Sequence, residues 1–287
     1  MNKTWLITGT STGLGRLMTE KLLERGDRVI ATLRQTEKLS SLQKRYGHQL
    51  LLLSMELTDT AEIRASVAQA FAWAGKIDVV VSNAGYGLFG AAEELSDLQI
   101  ERQLATNLTG SIQFIRAVIP FLRDQGGGRI MQVSSEGGQI AYPNFSLYHA
   151  SKWGIEGFIE AVAQEVSEFG IDFIIAEPGP TETNFGASLV QAEAMPCYEN
   201  TASGRMRKAL AGGEFKITGD AAKTVDVMIA CADEKQPQLR LPLGSTAFFN
   251  IQQALKARLV ALESSEKRAC STDKSLEISS VVHINQR

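Results

Sequence analysis

A tyrosine and a lysine lie four residues apart at Tyr148 and Lys152, and Ser135 precedes the tyrosine by thirteen positions. Residues i and i+4 share one face of a helix, so the two side chains would be neighbours if this segment is helical. A phenol normally titrates near ~10, and an ammonium a few ångströms away lowers its pKa by roughly 1–3 units. Tyr148 would then approach the range of an efficient general acid or base, with the Ser135 hydroxyl bonding the substrate oxygen.

The same spacing is also typical of an ordinary amphipathic helix with an exposed lysine and a half-buried tyrosine. The surroundings of the pair favour the catalytic interpretation. The segment follows an apolar run of strand length, and the chain opens with a turn of the kind that binds nucleotides.

That opening turn joins a short apolar run, residues 5–8, to a segment with helical apolar spacing. Strand, turn and helix in this order place backbone N–H groups at a helix N-terminus, where they suit a pyrophosphate. Gly9 permits the tight turn, and Gly13 and Gly15 let the backbone approach a ligand closely. A literal G-x-G-x-x-G occurs at residues 85–90, but no acidic residue at the right distance supports it. We interpret that second match as a turn after a later strand.

Short apolar runs alternate with helical segments along the chain, which predicts an α/β protein with a parallel sheet, a Rossmann fold. We predict one doubly wound domain with strand order 3-2-1-4-5-6, one more strand at the edge, and right-handed crossover helices on both faces. The strands cover residues 5–8, 28–32, 50–54, 79–82, 129–133, 172–176 and 238–242. Long helices are expected near residues 98–122, 220–232 and 246–262.

The predicted domain covers residues 1–263, and residues 186–215 within it are expected to form a mobile helical lid over the substrate. Residues 264–287 are polar and lack a clean period. We expect this tail to be poorly ordered or to pack on a neighbouring subunit.

The turn Thr8-Gly9-x-x-x-Gly13-x-Gly15 resembles the one that opens the short-chain dehydrogenase/reductase family. Further motifs that resemble this family follow in order: Asp59, Asn83-Ala84-Gly85, Asn107, Ser135, Tyr148-x-x-x-Lys152 and Pro178-Gly179. Together they cover roughly residues 4–185, and their joint order and spacing are far more specific than any one motif. The spacing to Tyr148 selects Ser135 over its neighbour Ser134. Ser82 and Pro180 stand where the family usually has Asn and an aliphatic residue.

The resemblance implies an enzyme that interconverts a carbonyl compound and its alcohol with NADP(H), with NAD(H) the less favoured cofactor. Tyr148 would give its proton to the developing alkoxide, while Lys152 would lower the tyrosine pKa and bind the nicotinamide ribose. Asn107 would hold a water linked to Lys152. The expected catalytic residues are Asn107, Ser135, Tyr148 and Lys152. The expected cofactor contacts are Gly9, Ser11, Thr12, Gly13, Leu14, Gly15, Arg34, Leu57, Asp59, Asn83, Ala84, Gly85, Asn107, Tyr148, Lys152, Pro178, Gly179, Thr181 and Thr183.

Three of these residues have a plainer alternative. Arg34 follows the second strand, where an arginine accommodates the 2′-phosphate of NADP, and we expect it to be the phosphate partner; the alternative is a solvated side chain before a helix. Asp59 could be only the N-cap of the next helix, or could also orient the adenine. Asn107 could be a tolerated weak spot in its helix, since Asn is a poor interior helix residue.

Composition and charge exclude several other classes of function. The 287 residues are 44% hydrophobic and 21% charged, as in a globular protein with a core, and the net charge of −3 disfavours nucleic acid as a partner. No apolar run reaches the length of a membrane span, and the start is too short for a signal-peptide core. Three cysteines outside any C-x-x-C pattern fit free thiols in a reducing compartment, so we expect a cytoplasmic protein.

Other catalytic chemistries lack the residues they need. None of the three histidines has a second ligand at helical spacing, so we expect no metal site. The G-x-S-x-G elbow of a serine hydrolase is absent. Glu136 is interpreted as a loop residue, and His149 as a residue of the pocket rim at most.

Two other functions on this scaffold were weighed. A regulator that senses NADP(H) without turnover would be expected to lose the Tyr–Lys pair, and both residues are present. An epimerase or dehydratase is disfavoured by the short glycine turn and the modest C-terminal portion. The substrate is expected to be an apolar carbonyl compound, and the resemblance implies a homodimer or homotetramer. The apolar pocket is predicted from Leu88, Gly137, Ile140, Tyr142, Leu189 and Met195.

Overall fold

Seven parallel strands form the central sheet of the computed structural model, which describes residues 2–214 and 216–274. Numbered along the chain from 1 to 7, the strands lie side by side in the order 3-2-1-4-5-6-7, and each adjacent pair is parallel. The predicted doubly wound Rossmann fold is confirmed, with its strand order and its additional edge strand. The strands are β1 (Thr4–Thr8), β2 (Arg28–Leu33), β3 (Leu50–Ser54), β4 (Val79–Ser82), β5 (Gly128–Val133), β6 (Ile171–Pro178) and β7 (Arg240–Leu243).

Helices cover both faces of this sheet. Alternate residues of β1 point to opposite faces, so Trp5 and Ile7 pack in the core on one face of the sheet, whereas Leu6 packs in the core on the other face. All five residues of β1 are buried, as expected for a central strand. The helices are α1 (Gly13–Arg25), α2 (Ser40–Tyr46), α3 (Thr60–Ala74), α4 (Asp97–Leu104), α5 (Ser111–Asp124), α6 (Ser146–Val166), α7 (Ala202–Ala211), α8 (Ala221–Asp233) and α9 (Ser245–Cys270).

The helix expected near residues 98–122 contains a single π-helical turn, Ala105–Gly110, which joins α4 to α5. Such turns are rare and are frequently found at functional sites. Gly110 faces the backbone of Leu57, because a Cβ built at this glycine would lie 2.5 Å from the Leu57 carbonyl oxygen. The interruption therefore brings this helix close to the end of β3.

The proposed lid segment is fastened beside the sheet by a second, two-stranded pairing. Val190–Gln191 runs parallel to Leu88–Phe89. Glycines 87 and 90 of the second glycine motif permit this approach, since a Cβ built at Gly87 would lie 2.3 Å from Leu189 Cδ2. At Gly90 the nearest atom would be Ala192 Cβ, at 2.6 Å. These glycines thus serve close packing against the lid segment.

The last helix extends further than its sequence pattern predicted. The apolar spacing predicted an end near residue 262, whereas α9 continues to Cys270 and takes in the start of the proposed polar tail. Its later turns are solvated, with Leu255, Leu259 and Leu262 between 49% and 66% exposed, and a solvated helix needs no continuous apolar stripe. Residues 275–287 of the tail lie outside the described residues. Within residues 2–214 and 216–274, no helix is both long and apolar enough to cross a membrane.

Candidate active site

Tyr148 and Lys152 lie on the buried side of α6, close to the carboxyl end of β5. Tyr148 is 8% exposed and Lys152 is 6% exposed. The Lys152 ammonium donates to the Val133 carbonyl at 2.9 Å and lies 5.6 Å from the centre of the Tyr148 ring. The Ser135 hydroxyl lies close enough to Tyr148 to affect its pKa, and its Oγ accepts from the Gly137 N–H at 3.0 Å. The three residues selected from the sequence therefore meet at one point.

Burial dominates the titration of this pair and reverses one prediction. It raises the pKa of Tyr148 to about 12; the hydrogen bond with Ser135 opposes this rise, and the charges of Glu136 and Glu156 add to it. Burial also lowers the pKa of Lys152 to about 8, against the charge of Glu156. The net direction is thus opposite to the one expected from the Tyr148–Lys152 spacing, because burial is the largest cause of the shift, and the effect of Lys152 itself stays a prediction. Tyr148 therefore carries its proton at neutral pH.

The glycine turn has the geometry of a phosphate-binding loop. Gly9 and Gly13 have φ values of +71° and +61°, a region that side chains disfavour. Helix α1 begins at Gly13, and within the described residues no side chain caps it. Its first N–H groups therefore point out of the helix end without a side-chain acceptor, which suits an anion. Ser11, Thr12 and Leu14 lie in the same turn, and Thr12 is exposed.

Asn83 fastens this turn to the end of β4, where the strand order reverses direction. Its side-chain amide donates to the Thr8 carbonyl at 2.8 Å and to the Gly9 carbonyl at 3.1 Å. The Thr8 hydroxyl in turn accepts from the N–H groups of Asn83 and Ala84 at 2.9 and 3.0 Å. These contacts hold the ends of β1 and β4 side by side at the topological switch point, the usual place for a dinucleotide in such a sheet.

The loop after β6 connects the glycine turn to the tyrosine. Gly179 donates its N–H to the Leu243 carbonyl at 3.0 Å, and the Thr181 hydroxyl donates to the Gly179 carbonyl at 2.9 Å. A Cβ built at Gly13 would have Thr183 Cβ as its nearest neighbour, at 4.0 Å. The Phe185 ring then lies 5.6 Å from the Tyr148 ring. This loop, which follows Pro178, therefore borders both the glycine turn and Tyr148.

The residues predicted to bind the adenosine part of the cofactor occupy the same edge of the sheet. The Arg34 side chain is 80% exposed directly after β2, and its guanidinium lies 3.9 Å from the Glu56 carboxylate. Leu57 is buried after β3. Asp59 is the N-cap of α3, accepting from the N–H groups of Ala61 and Glu62 at 2.8 and 3.0 Å. The capping role is thus observed, and the adenine contact stays a prediction.

Asn107 lies in the π-helical turn, and its side chain bonds the backbone of Tyr86. It accepts from the Tyr86 N–H at 3.1 Å and donates to the Tyr86 carbonyl at 2.8 Å. A Cβ built at Gly85 would lie 3.2 Å from Asn107 Oδ1, so this glycine allows the close approach. The side chain thereby holds the loop after β4, and the proposed water link to Lys152 stays a prediction.

Two residues next to the catalytic candidates are more buried than the sequence indicated. Glu136 is 4% exposed and accepts from Tyr142 Oη at 3.0 Å and from Asn250 Nδ2 at 3.1 Å, so its interpretation as a loop residue missed a buried polar contact. His149 is 6% exposed, not at a rim, and burial lowers its pKa to about 4. Ile140 packs against Ala247 and Ile251 of α9. Asn250 is too distant in the chain for spacing to reveal these contacts.

Gly15 provides a direct test of the turn. A Cβ built there would lie 2.4 Å from Asn83 Nδ2 and 2.6 Å from the Gly9 carbonyl oxygen. We expect Gly15→Ala to lower the free energy of unfolding by about 1–3 kcal/mol and to weaken dinucleotide binding. Urea denaturation and fluorescence titration would measure the two effects.

Gly157 provides the matched control in another helix. It is exposed on α6, and in the described structure no atom lies within 4 Å of a Cβ built there. Gly157→Ala should raise the free energy of unfolding by about 0.5–1 kcal/mol, because glycine is a poor helix residue. Equal stability of the two alanine variants would contradict the packing assigned to Gly15.

Comparison with known proteins agrees with this geometry. Residues 3–194 match the family model for the short chain dehydrogenase. The oxidoreductase BOA17 of Botryotinia fuckeliana is 35% identical over 268 residues, covering 93% of this chain and 97% of that protein.

Solved structures give the same result. A short-chain dehydrogenase from Streptomyces avermitilis is 34% identical with a TM-score of 0.87, covering 95% of this chain and 98% of its own. An NADP complex of a short chain dehydrogenase from Burkholderia cenocepacia shares the fold at 23% identity, with a TM-score of 0.71 and coverage of 92% and 96%. The chain belongs to the short-chain dehydrogenase family of oxidoreductases.

Proposed function

We propose that the protein interconverts a carbonyl compound and its alcohol with NADP(H), and that Tyr148 is the general acid and base. The observation that carries this proposal is the convergence of Tyr148, Ser135 and Lys152 at the carboxyl end of β5. Ligands of open α/β sheets bind outside this edge. The loop between Thr183 and Phe185 joins that point to the glycine turn, so a dinucleotide held by the turn would extend toward the tyrosine.

The residues around the turn fit NADP(H). The uncapped start of α1 suits the pyrophosphate, and the small residues Ala84 and Gly85 leave room beside β1 for a ribose. Arg34 is proposed to bind the 2′-phosphate because its guanidinium is exposed and is held only loosely by Glu56. Thr181 and Thr183 are proposed to meet the nicotinamide carboxamide. When bound, the cofactor supplies or accepts the hydride.

The protein's own residues then handle the oxygen of the substrate. Tyr148 gives its proton to the developing alkoxide during reduction and takes it back during oxidation. The Gly137 N–H occupies one acceptor site of Ser135 Oγ, which leaves the serine proton to bond either the tyrosine or the substrate oxygen. Lys152 uses one donor on the Val133 carbonyl and keeps others for the nicotinamide ribose. Asn107 is proposed to support proton exchange by holding the neighbouring loop.

An absorbance assay of NADPH with a panel of ketones and aldehydes tests this function. Turnover with apolar carbonyl compounds is expected, since Phe185 and Leu189 border the site. Binding of NADPH without turnover of any substrate would favour the sensing regulator, and isomerised or dehydrated products would favour the other enzymes on this fold. We also expect the protein to be cytoplasmic and to form a homodimer or homotetramer. Size-exclusion chromatography with light scattering would measure the oligomeric state.

The lid segment, residues 186–215, is proposed to cover the substrate. An ion pair between Glu94 and Arg207 attaches this segment to the rest of the domain. Glu94 accepts from Met195 N–H at 2.9 Å and from the Arg207 guanidinium at 2.6 Å, and its side chain is 0% exposed. Arg207→Met should raise the substrate KM roughly tenfold while kcat changes little, because the lid is loosened and the chemistry is untouched. Steady-state kinetics would measure both constants.

Lys208 serves as the control for the lid variant. It follows Arg207 on α7, and its contact with Glu199 is 3.6 Å long between side chains about two-thirds exposed. Lys208→Met should leave KM unchanged, since exposed ion pairs contribute little. A KM raised equally by both substitutions would argue against a specific role for the Glu94–Arg207 pair.

A further inference from the structure

A buried cluster of charges lies directly behind the Tyr–Lys pair. Glu156 on α6 is 2% exposed and Glu177 at the end of β6 is 0% exposed. The Arg240 guanidinium, from the edge strand β7, donates to both carboxylates, with 2.6 Å to Glu156. It also reaches Glu160 at 2.8 Å, on the outer side of α6. Arg240 thus forms ion pairs with three carboxylates.

Glu156 connects this cluster to the catalytic residues. It lies one helical turn after Lys152, and its carboxylate accepts from the Ser134 hydroxyl at 2.5 Å. It also packs against the short turn after Ser135, because a Cβ built at Gly138 would lie 1.7 Å from Glu156 Oε1. The carboxylate is therefore enclosed by the strand end that precedes the catalytic serine, the turn that follows it, and the helix that carries the lysine.

We propose that Glu156 is a positioning residue, which keeps the Lys152 ammonium charged and holds the Ser135 turn in place, and that Arg240 keeps Glu156 ionised. This inference rests on the proposed function, because the charge of Lys152 affects turnover only if Tyr148 and Lys152 act on the substrate and cofactor. It assigns a role to the edge strand, which carries none of the family motifs found in the sequence.

The charges around both groups agree with this assignment. The neighbours of the Lys152 ammonium are Tyr148 and Glu156 on its own helix and the Val133 carbonyl of β5. Among the described residues, Glu156 is the carboxylate whose charge raises the Lys152 pKa, in opposition to burial. Burial lowers the pKa of Lys152 to about 8, which makes that support matter near neutral pH.

Arg240 has a corresponding effect on Glu156. The groups around the Glu156 carboxylate are Lys152 and Glu160 on α6, Ser134 after β5, Glu177 on β6 and Arg240 on β7. Burial raises the pKa of Glu156, and the hydrogen bonds from Arg240 and Ser134 oppose that rise. Without the guanidinium, two buried carboxylates would lie together and one would take up a proton.

Glu156→Gln tests the proposal while keeping the shape of the side chain and its acceptor for Ser134. The Lys152 pKa should fall by about 1 unit, because one opposite charge a few ångströms away is removed. Two measurements report this: the alkaline limb of the pH profile of kcat, and an NMR titration of labelled lysine Nζ groups assigned with Lys152→Met. Glu160→Gln is the matched control, since it removes a carboxylate from the same helix and the same arginine, and should shift neither.

An unchanged Lys152 titration in Glu156→Gln, or an equal shift in Glu160→Gln, would overturn the proposal. If Glu156→Gln did not fold, Glu156→Asp would take its place. Its shorter side chain withdraws the charge from Lys152, so the Lys152 pKa should fall by a smaller amount. An unchanged Lys152 pKa in this variant would also overturn the proposal. A shifted Lys152 titration in a protein whose wild type reduces no carbonyl compound would instead refute the proposed function, and only the support of the Lys152 charge by Glu156 would stand.

Discussion

Replacing Tyr148 with phenylalanine should lower kcat by about 10²–10⁴-fold, the usual contribution of a general acid, and leave NADPH affinity nearly unchanged. The variant loses only the hydroxyl that gives up the proton. Its ring keeps the packing against Phe185 at 5.6 Å and Phe145 at 6.1 Å. Steady-state turnover and a fluorescence titration with NADPH would separate the two effects.

Tyr142 is the matched control for this substitution. Its ring also lies near His149, but its hydroxyl donates to Glu136 at 3.0 Å and accepts from Asn250 at 2.9 Å. Tyr142→Phe should reduce stability by about 1 kcal/mol through the lost hydrogen bonds, while kcat stays within a few-fold of the wild type. If Tyr148→Phe turned over as fast as Tyr142→Phe, Tyr148 would not be the proton donor.

The second large effect is expected at Arg34. Arg34→Asp should weaken NADPH binding by roughly 100-fold, since charge-assisted hydrogen bonds to a phosphate are replaced by repulsion. NADH lacks the 2′-phosphate, and its affinity should change only a few-fold. Among residues 2–214 and 216–274 the exposed side chain has only a long contact with Glu56, at 3.9 Å, so little internal structure is lost. Dissociation constants for both dinucleotides would provide the test.

Arg123 gives a charge-matched comparison for that experiment. It lies near the end of α5, half exposed and paired with its neighbour Asp124, before the amino end of β5 and hence at the opposite edge of the sheet. Arg123→Asp should leave both affinities unchanged. Equal losses of NADPH and NADH affinity in Arg34→Asp would show that Arg34 does not contact the 2′-phosphate.

Much of the fold could be predicted from the sequence because its signals are local. The β-branched run at residues 79–82 and the glycines at 9, 13 and 15 each need only neighbouring residues to be interpreted. The positions of Ser135, Tyr148 and Lys152 follow from their strand end and their helix. Their meeting point is fixed by the topology of the sheet, so it too was within reach of the sequence.

The electrostatics of the site could not be predicted in the same way. The raised pKa of Tyr148 depends on its burial, which a spacing of four residues does not reveal. The partners of Glu156 come from Ser134 and Arg240, 22 and 84 positions away along the chain. Glu136 likewise meets Asn250 across 114 positions. Such contacts arise only when distant segments pack together, and no local pattern encodes them.

The most direct test of the central claim is a crystal structure of the protein with NADP⁺ and an alcohol product bound. The proposal predicts that Tyr148 Oη and Ser135 Oγ both lie within hydrogen-bonding distance, about 2.5–3.0 Å, of the alcohol oxygen. A tyrosine hydroxyl directed away from that oxygen, with another group in its place, would contradict the assignment of Tyr148 as the proton donor.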